Sequence, residues 1–503
     1  MRSRIALSAL AVCLLVLGIA SPVSAMDIDE FEKNLTIEQL DNGLTLILYE
    51  RPTAPVVSFF TYVDVGAAQE VNGITGLAHM FEHMAFKGTS TIGTKDFKAE
   101  KKAMDQVDRA YDAYSAERDR RLGSDPDKLA ALEAGFKAAQ EQAAEYLIAG
   151  EYDEIIERAG GVGLNAGTGA DSTVYMYSLP ANKLELFAYL ESERFLDPVL
   201  REFYRERDVV QEERRMRVES SPIGRMFEQF ISVAYIAHPY GMPIVGYMSD
   251  LQRFTRKDAE AFYAKHYVPA NMTVTIVGDV NRKKALPMLR KYFGRLPKGD
   301  KPAPIRTIEP PQQAQKTVVM PDASQPVYGE AYHRPEATHP DDAIYNAISD
   351  ILSSGRTSRL YRSLVRDKQI AAGAAAMNGL PGDKYPTLML FFALPTPDSS
   401  NEAVRDAIRV EIERLKTEPV SDGELAKVKT QAKASLVRGL RSNSGIAGQL
   451  ATAHVLYGDW REIFNQVAKI EAVTAEDILR VANETFVAGN RTVGMIVNEE
   501  GGE

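Results

Sequence analysis

Two histidines and a glutamate lie close together in the stretch GLAHMFEHMAFKGT, residues 76–89. On an α-helix each residue turns by about 100°, so His79, Glu82 and His83 would share one face. Two imidazoles four residues apart can ligate one metal ion, and a carboxylate beside them can accept a proton from water. A lone histidine pair at this spacing is more often surface decoration, but the full H-x-x-E-H pattern is rare in a chain with seven histidines. The sequence therefore predicts two ligands and the base of a catalytic zinc site.

The motif lacks one ligand, because a catalytic zinc ion takes three protein ligands and keeps one position open. In FYRERDVVQEERRMRVES, residues 203–220, Glu206 and Glu213 lie on one helical stripe. Val209 and Val210 form the middle of the stripe, which predicts that it faces the interior. Buried carboxylates are costly unless they are paired or bound to a metal. Two interpretations stay open: these glutamates belong to the metal site, or they pair with buried arginines.

The N-terminus indicates where the protein is located, and the position of the single cysteine limits which residues can bind a metal. An apolar run between MRSR and SPVSA predicts a signal peptide over residues 1–25, cleaved after Ala25. A membrane anchor is the alternative, but the run is short for a span and ends in a cleavage signal. Cys13 lies inside this run, so the mature chain is cysteine-free and a metal must be held by His, Asp or Glu. We expect a periplasmic or secreted protein with no stable membrane span after cleavage.

Length and charge bound the class of protein. With 503 residues the chain is too long for one core, and its 45% hydrophobic and 25% charged residues are ordinary for globular domains. The net charge of −10 disfavours a polyanion partner, so no nucleic acid is expected.

The chain repeats itself. TRKDAEAFYAKHYVPANMTVTIVGDVN from Thr255 aligns without a gap with TAEDILRVANETFVAGNRTVGMIVNEE from Thr474. Each copy is typical of a capped helix, a turn around an asparagine and a strand. Chance similarity is the alternative, but both copies close a long segment, which favours duplication of a whole domain.

The repeat and a proline-rich, charged stretch predict the domain organisation. We place a first domain at 35–295, a linker at 296–312 and a second domain at 313–500. Each domain opens with β-rich sequence and continues with helical patterns. The predicted fold class is therefore α+β, with two homologous domains that each pack a mainly antiparallel sheet against helices.

One segment, 98–150, breaks the symmetry of the two domains. Two Ala-rich, charged stretches of helical period are separated by GSDPD, which supplies a stop, a cap and a proline near a new start. We predict a helical hairpin inserted in the first domain, as a solvated surface excursion.

These motifs together resemble a known family. HMFEH is similar to the inverted zinc motif of the inverzincins, and MAFKGT follows it. Other matching stretches are NAGTGADSTVY at 165–175, ERDVVQEE at 206–213, HPYGMPIVG at 238–246 and SSGRTSRLYRSLVRDK in the second half. The mature chain resembles the pitrilysin/insulinase family of zinc metallopeptidases over nearly its whole length. The similarity is greatest to the bacterial branch that resembles the mitochondrial processing peptidase.

The resemblance implies one zinc ion per chain and a role for each motif residue. It implies His79 and His83 as zinc ligands and Glu82 as the general base. The third ligand would be Glu213, and Glu206 would support the ligands from outside the ligand set. The helical insertion accounts for the long spacing between the two zinc motifs.

The resemblance also implies how substrate and partner bind. Asn165 falls where the family has a residue near the bound peptide, beside an edge strand that pairs with extended substrate. Active members carry an Arg–Tyr pair that helps bind substrate. Here Arg366 is present, but the tyrosine position is Gly373. That absence indicates that a homologous partner subunit, or a second copy, supplies the pair and that two subunits enclose a chamber.

The sequence thus predicts the zinc-bearing subunit of a metalloendopeptidase acting on extended peptides or unfolded segments. The alternative is a non-catalytic scaffold subunit, but such members usually lose ligand residues and this chain keeps them. A binding protein with a structural zinc is disfavoured, because structural sites normally have four protein ligands and no fourth is evident.

Overall fold

The computed structural model describes residues 28–120 and 123–498, so the predicted signal peptide 1–25 lies outside the described residues. Among these residues the first half contains the following strands and α-helices: α1 (Ile28–Asn34), β1 (Leu35–Gln39), β2 (Thr45–Glu50), β3 (Val56–Val63), α2 (Leu77–Met84), α3 (Phe97–Arg118), α4 (Pro126–Ala144), α5 (Glu151–Arg158), β4 (Val162–Thr168), β5 (Thr173–Pro180), α6 (Leu184–Leu196), α7 (Phe203–Arg214), α8 (Pro222–Ala234), α9 (Met248–Leu251), α10 (Arg256–His266), β6 (Met272–Gly278) and α11 (Arg282–Phe293). A π-helical turn, Arg215–Glu219, follows α7.

The described part of the second half contains β7 (Lys316–Asp322), β8 (Val327–Arg334), α12 (Asp342–Ser353), β9 (Ala371–Leu380), β10 (Thr387–Pro395), α13 (Asn401–Thr417), α14 (Asp422–Gly439), α15 (Asn443–Tyr457), α16 (Glu462–Ala472), α17 (Ala475–Thr485) and β11 (Arg491–Asn498). A π-helical segment, Tyr361–Asp367, precedes β9. The predicted linker 296–312 contains neither helix nor strand. The exact domain bounds stay a prediction.

The two sheets share one topology. The first has the order β1-β2-β6-β3-β5-β4 and the second β7-β11-β8-β10-β9. In each, one parallel pair, β2 with β6 or β7 with β11, is followed by antiparallel pairs. Among the described residues, β1 is the one strand of the first sheet that has no counterpart in the second. The predicted fold class, two homologous α+β domains with mainly antiparallel sheets, is confirmed.

The repeated sequence occupies the same structural position in both domains. Helices α10 and α17 begin with the same capping box, formed by Thr255 with Asp258 and by Thr474 with Asp477. Asn271 donates to the carbonyl of His266, five residues before it, and Asn490 donates to the carbonyl of Thr485 in the same way. The asparagines thus tie each helix end to the strand that follows, which explains why this residue recurs in both copies.

Each domain also covers the sheet of the other. Helix α8 of the first half packs on β7 and β11, where Met226 and Phe230 contact an apolar cluster that includes Leu390 and Ile496. Helix α15 of the second half packs on β3 and β6 in the first domain, burying Leu450. Without the other half, the sheet face under α8 and the sheet face under α15 would both be exposed. The two domains therefore form one unit.

The inserted helical hairpin, α3 and α4, is present but is not simply a solvated excursion. Tyr111 is fully buried, and its ring lies 4.4 Å from that of Tyr204 on α7. Arg207, also on α7, donates to the Tyr111 hydroxyl at 2.7 Å. The hairpin therefore packs one face against the helix that carries Glu206 and Glu213. Its other face is polar and exposed, as predicted.

Within the described ranges 28–120 and 123–498, no helix has the length and apolar character needed to cross a membrane.

Candidate metal centre

Helix α2 is held in place by a buried carboxylate at its start. Glu70 is 3% exposed, and its two oxygens accept the backbone N–H groups of Gly76 and Ala78 at 2.7 and 2.6 Å. Burial raises the pKa of Glu70 to about 8, against the lowering effect of these two donors. Carboxyl oxygens at a helix N-terminus satisfy N–H groups that have no acceptor within the helix. The sequence did not single out Glu70, because no pattern shows that its carboxyl group folds back onto the N–H groups six and eight residues later.

His79, Glu82 and His83 lie on one face of this helix, as the helical spacing predicts. The two histidines meet Glu213 of α7, and Glu82 meets Thr168 of β4. His79 is 5% exposed, and His83 presents about a fifth of its side chain. Their rings lie 4.9 Å apart and nearly perpendicular. The remaining α2 side chains, including Met80 and Phe81, are buried in the domain core. The histidine pair is therefore part of a rigid, packed helix.

Glu213 on α7 completes a three-residue cluster. Its Oε2 lies 3.5 Å from His79 Nε2 and 3.4 Å from His83 Nε2, and the three ligand atoms all lie within 4.8 Å of one another. Two ligands on a tetrahedral zinc ion, each at about 2.0–2.1 Å, would lie about 3.3 Å apart. Two imidazole nitrogens and a carboxylate oxygen are also the donor set of known catalytic zinc sites. The residues present fit a zinc ion.

Glu206 contacts Nδ1 of His83, the ring nitrogen that does not face Glu213. Its Oε1 lies 2.9 Å from His83 Nδ1, and Lys87 donates to Oε2 at 2.6 Å. Because a carboxylate only accepts, Nδ1 must carry the hydrogen, which leaves Nε2 free toward Glu213. Burial acts to raise the pKa of Glu206, but the hydrogen bonds from His83 and Lys87 outweigh it and lower this pKa to about 2. Glu206 is therefore an anion at neutral pH.

The two histidines differ in basicity. Burial, together with the neighbouring imidazole, lowers the pKa of His79 to about 4. Burial also acts to lower the pKa of His83, but the hydrogen bond to Glu206 and nearby carboxylates outweigh it and raise that pKa. His79 is thus a neutral, ready ligand at neutral pH, whereas a metal must displace a proton from a fraction of His83.

One part of the stripe prediction on α7 is wrong. Val210 is fully buried and Glu206 and Glu213 are mostly buried, but Val209 is 48% exposed. The reason is that Val209 is rotated by about 100° from Val210 on the helix, and only Val210 reaches the domain core. The alternative prediction, that Glu206 and Glu213 pair with buried arginines, also disagrees with the structure. Glu213 pairs with Arg217, whose side chain is 69% exposed, and Glu206 pairs with a lysine.

Glu82 lies beside the cluster without being one of the three convergent ligands. Its Oε2 accepts a hydrogen bond from the hydroxyl of Thr168 on β4 at 2.8 Å. Sequence reasoning missed Thr168, although it lies in the motif stretch NAGTGADSTVY. This hydroxyl holds the carboxylate in one orientation.

The candidate substrate residue Asn165 is exposed in β4, which is the edge strand of its sheet as expected. Arg366 and Gly373 lie in the second domain. Arg366 pairs with the adjacent Asp367 at 2.7 Å, and Gly373 lies in β9, the edge strand of the second sheet. The roles of these residues, like those of the metal cluster, stay predictions.

Comparison with known proteins agrees with the resemblance of the motifs. The family described as insulinase (peptidase family M16) matches residues 45–116, and the one described as peptidase M16 inactive domain matches residues 253–432. The zinc protease PqqE of Helicobacter pylori is 32% identical over 89% of this chain and 89% of its own length. The mitochondrial-processing peptidase subunit beta of Saccharomyces cerevisiae is 23% identical over 91% of this chain and 89% of its own.

Solved structures show the same fold. A crystal structure of a protease from Helicobacter pylori is 29% identical, with a TM-score of 0.76, and covers 92% of this chain and 99% of its own. The periplasmic protease PqqL from Escherichia coli matches with a TM-score of 0.68 at 18% identity. That match covers 93% of this chain but 48% of PqqL, so this chain spans about half the length of PqqL.

Proposed function

We propose, since this chain belongs to the M16 family of peptidases, that it is the zinc-bearing subunit of a metalloendopeptidase acting on extended peptides or unfolded segments. One observation carries the proposal: His79, His83 and Glu213 converge while Thr168 holds Glu82 beside them. Among the described residues no fourth His, Cys, Asp or Glu joins the cluster. A three-ligand set is typical of catalytic rather than structural zinc.

The chain's own residues would divide the work of hydrolysis. A zinc ion held by the three ligands would supply a Lewis acid that makes water acidic near neutral pH. Glu82 would take the proton of the attacking water and pass it to the nitrogen of the leaving amine. Thr168 keeps its carboxylate oriented for both transfers, and Glu206 keeps Nε2 of His83 directed at the metal position.

The substrate would bind as an added strand. β4 is an edge strand that passes the metal cluster, and an extended peptide can pair with its free backbone groups. Main-chain pairing demands an extended conformation, which favours unfolded segments over folded domains.

A partner subunit would complete the catalytic machinery. Position 373 is glycine, so this chain lacks the tyrosine of the Arg–Tyr pair that the family uses on its substrate. One relative is named as a subunit of a processing peptidase, and PqqL has about twice the length of this chain. Both support two such halves acting together, either as a heterodimer or as two copies of this chain. The compartment would be the periplasm or the exterior, as the signal peptide over 1–25 predicts.

A non-catalytic scaffold subunit is the second candidate. The missing tyrosine and the match of residues 253–432 to the M16 inactive domain favour it. The intact metal cluster and the positioned Glu82 favour catalysis.

The substitution Glu82→Gln separates the two candidates. The protein is purified from its native periplasm together with whatever co-purifies, and metal content and peptide hydrolysis are measured. For catalysis we expect Glu82→Gln to keep about one zinc per chain and to lose hydrolysis, whereas His83→Ala loses the metal. Normal hydrolysis by Glu82→Gln, or none by the wild-type complex, would reject catalysis at this site. Strong hydrolysis by the pure monomer would reject the need for a partner.

A further inference from the structure

The cavity beside the metal cluster contains one cationic side chain. It has a volume of about 630 Å³, and its walls include the three members of the metal cluster and Glu82. Residues 166–168 of β4 form another part of these walls, and so does Arg217 from the π-helical turn after α7. Among the described residues that line the cavity, Arg217 is the only lysine or arginine. A peptide that pairs with β4 beside Glu82 therefore shares one cavity with this guanidinium.

Arg217 keeps most of its hydrogen-bonding capacity free. Its Nη2 lies 2.8 Å from Oε1 of Glu213, whose other oxygen faces the two histidines. In the described part of the chain its guanidinium forms no second ion pair and no hydrogen bond, and 69% of the side chain is exposed. A guanidinium carries its N–H donors in a planar fork, and a single ion pair does not use all of them. The remaining donors are available to a ligand in the cavity.

The other carboxylates of this cavity have partners of their own. Arg214 donates to both oxygens of Glu228, at 2.8 and 2.9 Å. Glu82 accepts from the hydroxyl of Thr168. Neither carboxylate is paired with Arg217, so its free donors can meet negative charge that develops on a bound peptide.

A surface ion pair alone does not account for the position of Arg217. The N–H of Ser220 donates to the carbonyl of Arg215 at 2.7 Å, five residues earlier, which makes this turn π-helical. Such turns are frequent at functional sites. On the same turn Arg215 pairs with Glu212, and neither of these two residues lines the cavity. Arg215 is thus the ordinary surface pair, whereas Arg217 faces the candidate catalytic residues.

Peptide hydrolysis creates a negative charge that needs donors. The water oxygen bonds to the carbonyl carbon, the C=O electron pair moves onto the carbonyl oxygen, and Glu82 takes a proton from the water. When the carbonyl forms again, the C–N bond breaks and the nitrogen takes that proton from Glu82. One donor directed at the charged oxygen contributes about 100- to 1,000-fold to such rates. Position 373 is glycine, so this chain offers no tyrosine there for this purpose.

We propose that Arg217 is a catalytic residue, which donates hydrogen bonds to the carbonyl oxygen of the scissile peptide bond and stabilises the charge that develops on it. This chain then contributes a donor of its own to the step for which the family uses its Arg–Tyr pair. The inference rests on the proposed function, because it places the peptide along β4 beside Glu82.

Binding of a transition-state analogue tests this role without turnover. The probes are an amide peptide, with the sequence around a bond that the wild-type complex cleaves in denatured casein, and its phosphinic analogue. The phosphinic group is tetrahedral and negatively charged. Both are titrated into the zinc-saturated Glu82→Gln complex. Adding Arg217→Gln should weaken binding of the phosphinic peptide about 100-fold and of the amide peptide less than about threefold, since the donors matter where the charge develops.

Two further variants separate the fork from the charge. Arg217→Lys keeps the charge without the planar fork, and we expect an intermediate loss of phosphinic-peptide binding. Arg215→Gln removes the same charge from the same turn, so it is the matched control and should leave both affinities unchanged. Thermal melts and zinc content check that each variant is folded and loaded.

Kinetics give a second readout and separate this inference from the proposed function. Arg217→Gln in the otherwise wild-type complex should lower kcat about 100-fold and leave KM within about threefold. If Arg217 only orients Glu213, Arg217→Gln weakens zinc binding but not the preference for the phosphinic peptide, which overturns the inference. An unchanged kcat, in a complex that Glu82→Gln inactivates, overturns the inference and keeps the peptidase. No hydrolysis by the wild-type complex rejects both.

Discussion

The contact between Glu206 and His83 allows a quantitative prediction for metal binding. Glu206 is an anion that accepts from His83 Nδ1 at 2.9 Å and from Lys87 Nζ at 2.6 Å. In Glu206→Gln the amide has one acceptor oxygen for two donors, so its NH₂ group must face either the imidazole N–H or the ammonium. Loss of the hydrogen bond that orients the ligand His83 should weaken zinc binding about 10- to 100-fold, or about 1.4–2.7 kcal/mol.

Proton competition acts in the opposite direction and sets the conditions of the assay. The same carboxylate raises the pKa of His83, so its removal also makes the histidine easier to deprotonate. This second effect is small only at a pH above the raised pKa of His83, where the histidine is neutral in both proteins. Zinc dissociation constants are therefore measured at that pH, by competition with a fluorescent zinc indicator.

Glu202→Gln is the matched control. Glu202 begins the same stretch of chain and also pairs with Lys87, at 3.4 Å, but in the described part of the chain none of its hydrogen bonds or ion pairs involves a histidine. We expect its zinc affinity to stay within about twofold of the wild type. If Glu206→Gln binds zinc as tightly as Glu202→Gln does, the orientation of His83 by Glu206 contributes nothing and the reasoning is refuted.

Three further predictions follow from the same geometry. Zinc affinity should fall as the pH is lowered from about 8 to 5.5, because His83 has a raised pKa and takes a proton over this range, and a flat profile would contradict it. Thr168→Val should lower the hydrolysis rate about tenfold without changing zinc content, since Glu82 loses the donor that orients it, while an unchanged rate would show that the hydroxyl is dispensable. Glu70→Ala should reduce the free energy of unfolding in urea by about 3 kcal/mol, because two buried N–H groups at the start of α2 lose their acceptor. An unfolding midpoint equal to that of the wild type would remove Glu70 from this role.

Local patterns in the sequence were enough to predict the elements that carry the site. The spacing of His79, Glu82 and His83 puts them on one face of any α-helix, because the helical repeat is the same in every protein. The capping boxes that begin α10 and α17 work in the same way, since both partners lie within one turn. The repeat also predicted two domains, and the structure confirms two sheets of one topology.

Contacts between distant parts of the chain were decided only by the tertiary structure. Thr168 reaches Glu82 across 86 residues, and Val209 is exposed although its neighbour Val210 is buried in the domain core. The inserted hairpin packs Tyr111 on α7, although its composition indicated a solvated segment. The physical reason is common to all three: periodicity determines which side chains share a face, but only the packing of whole elements determines what that face meets.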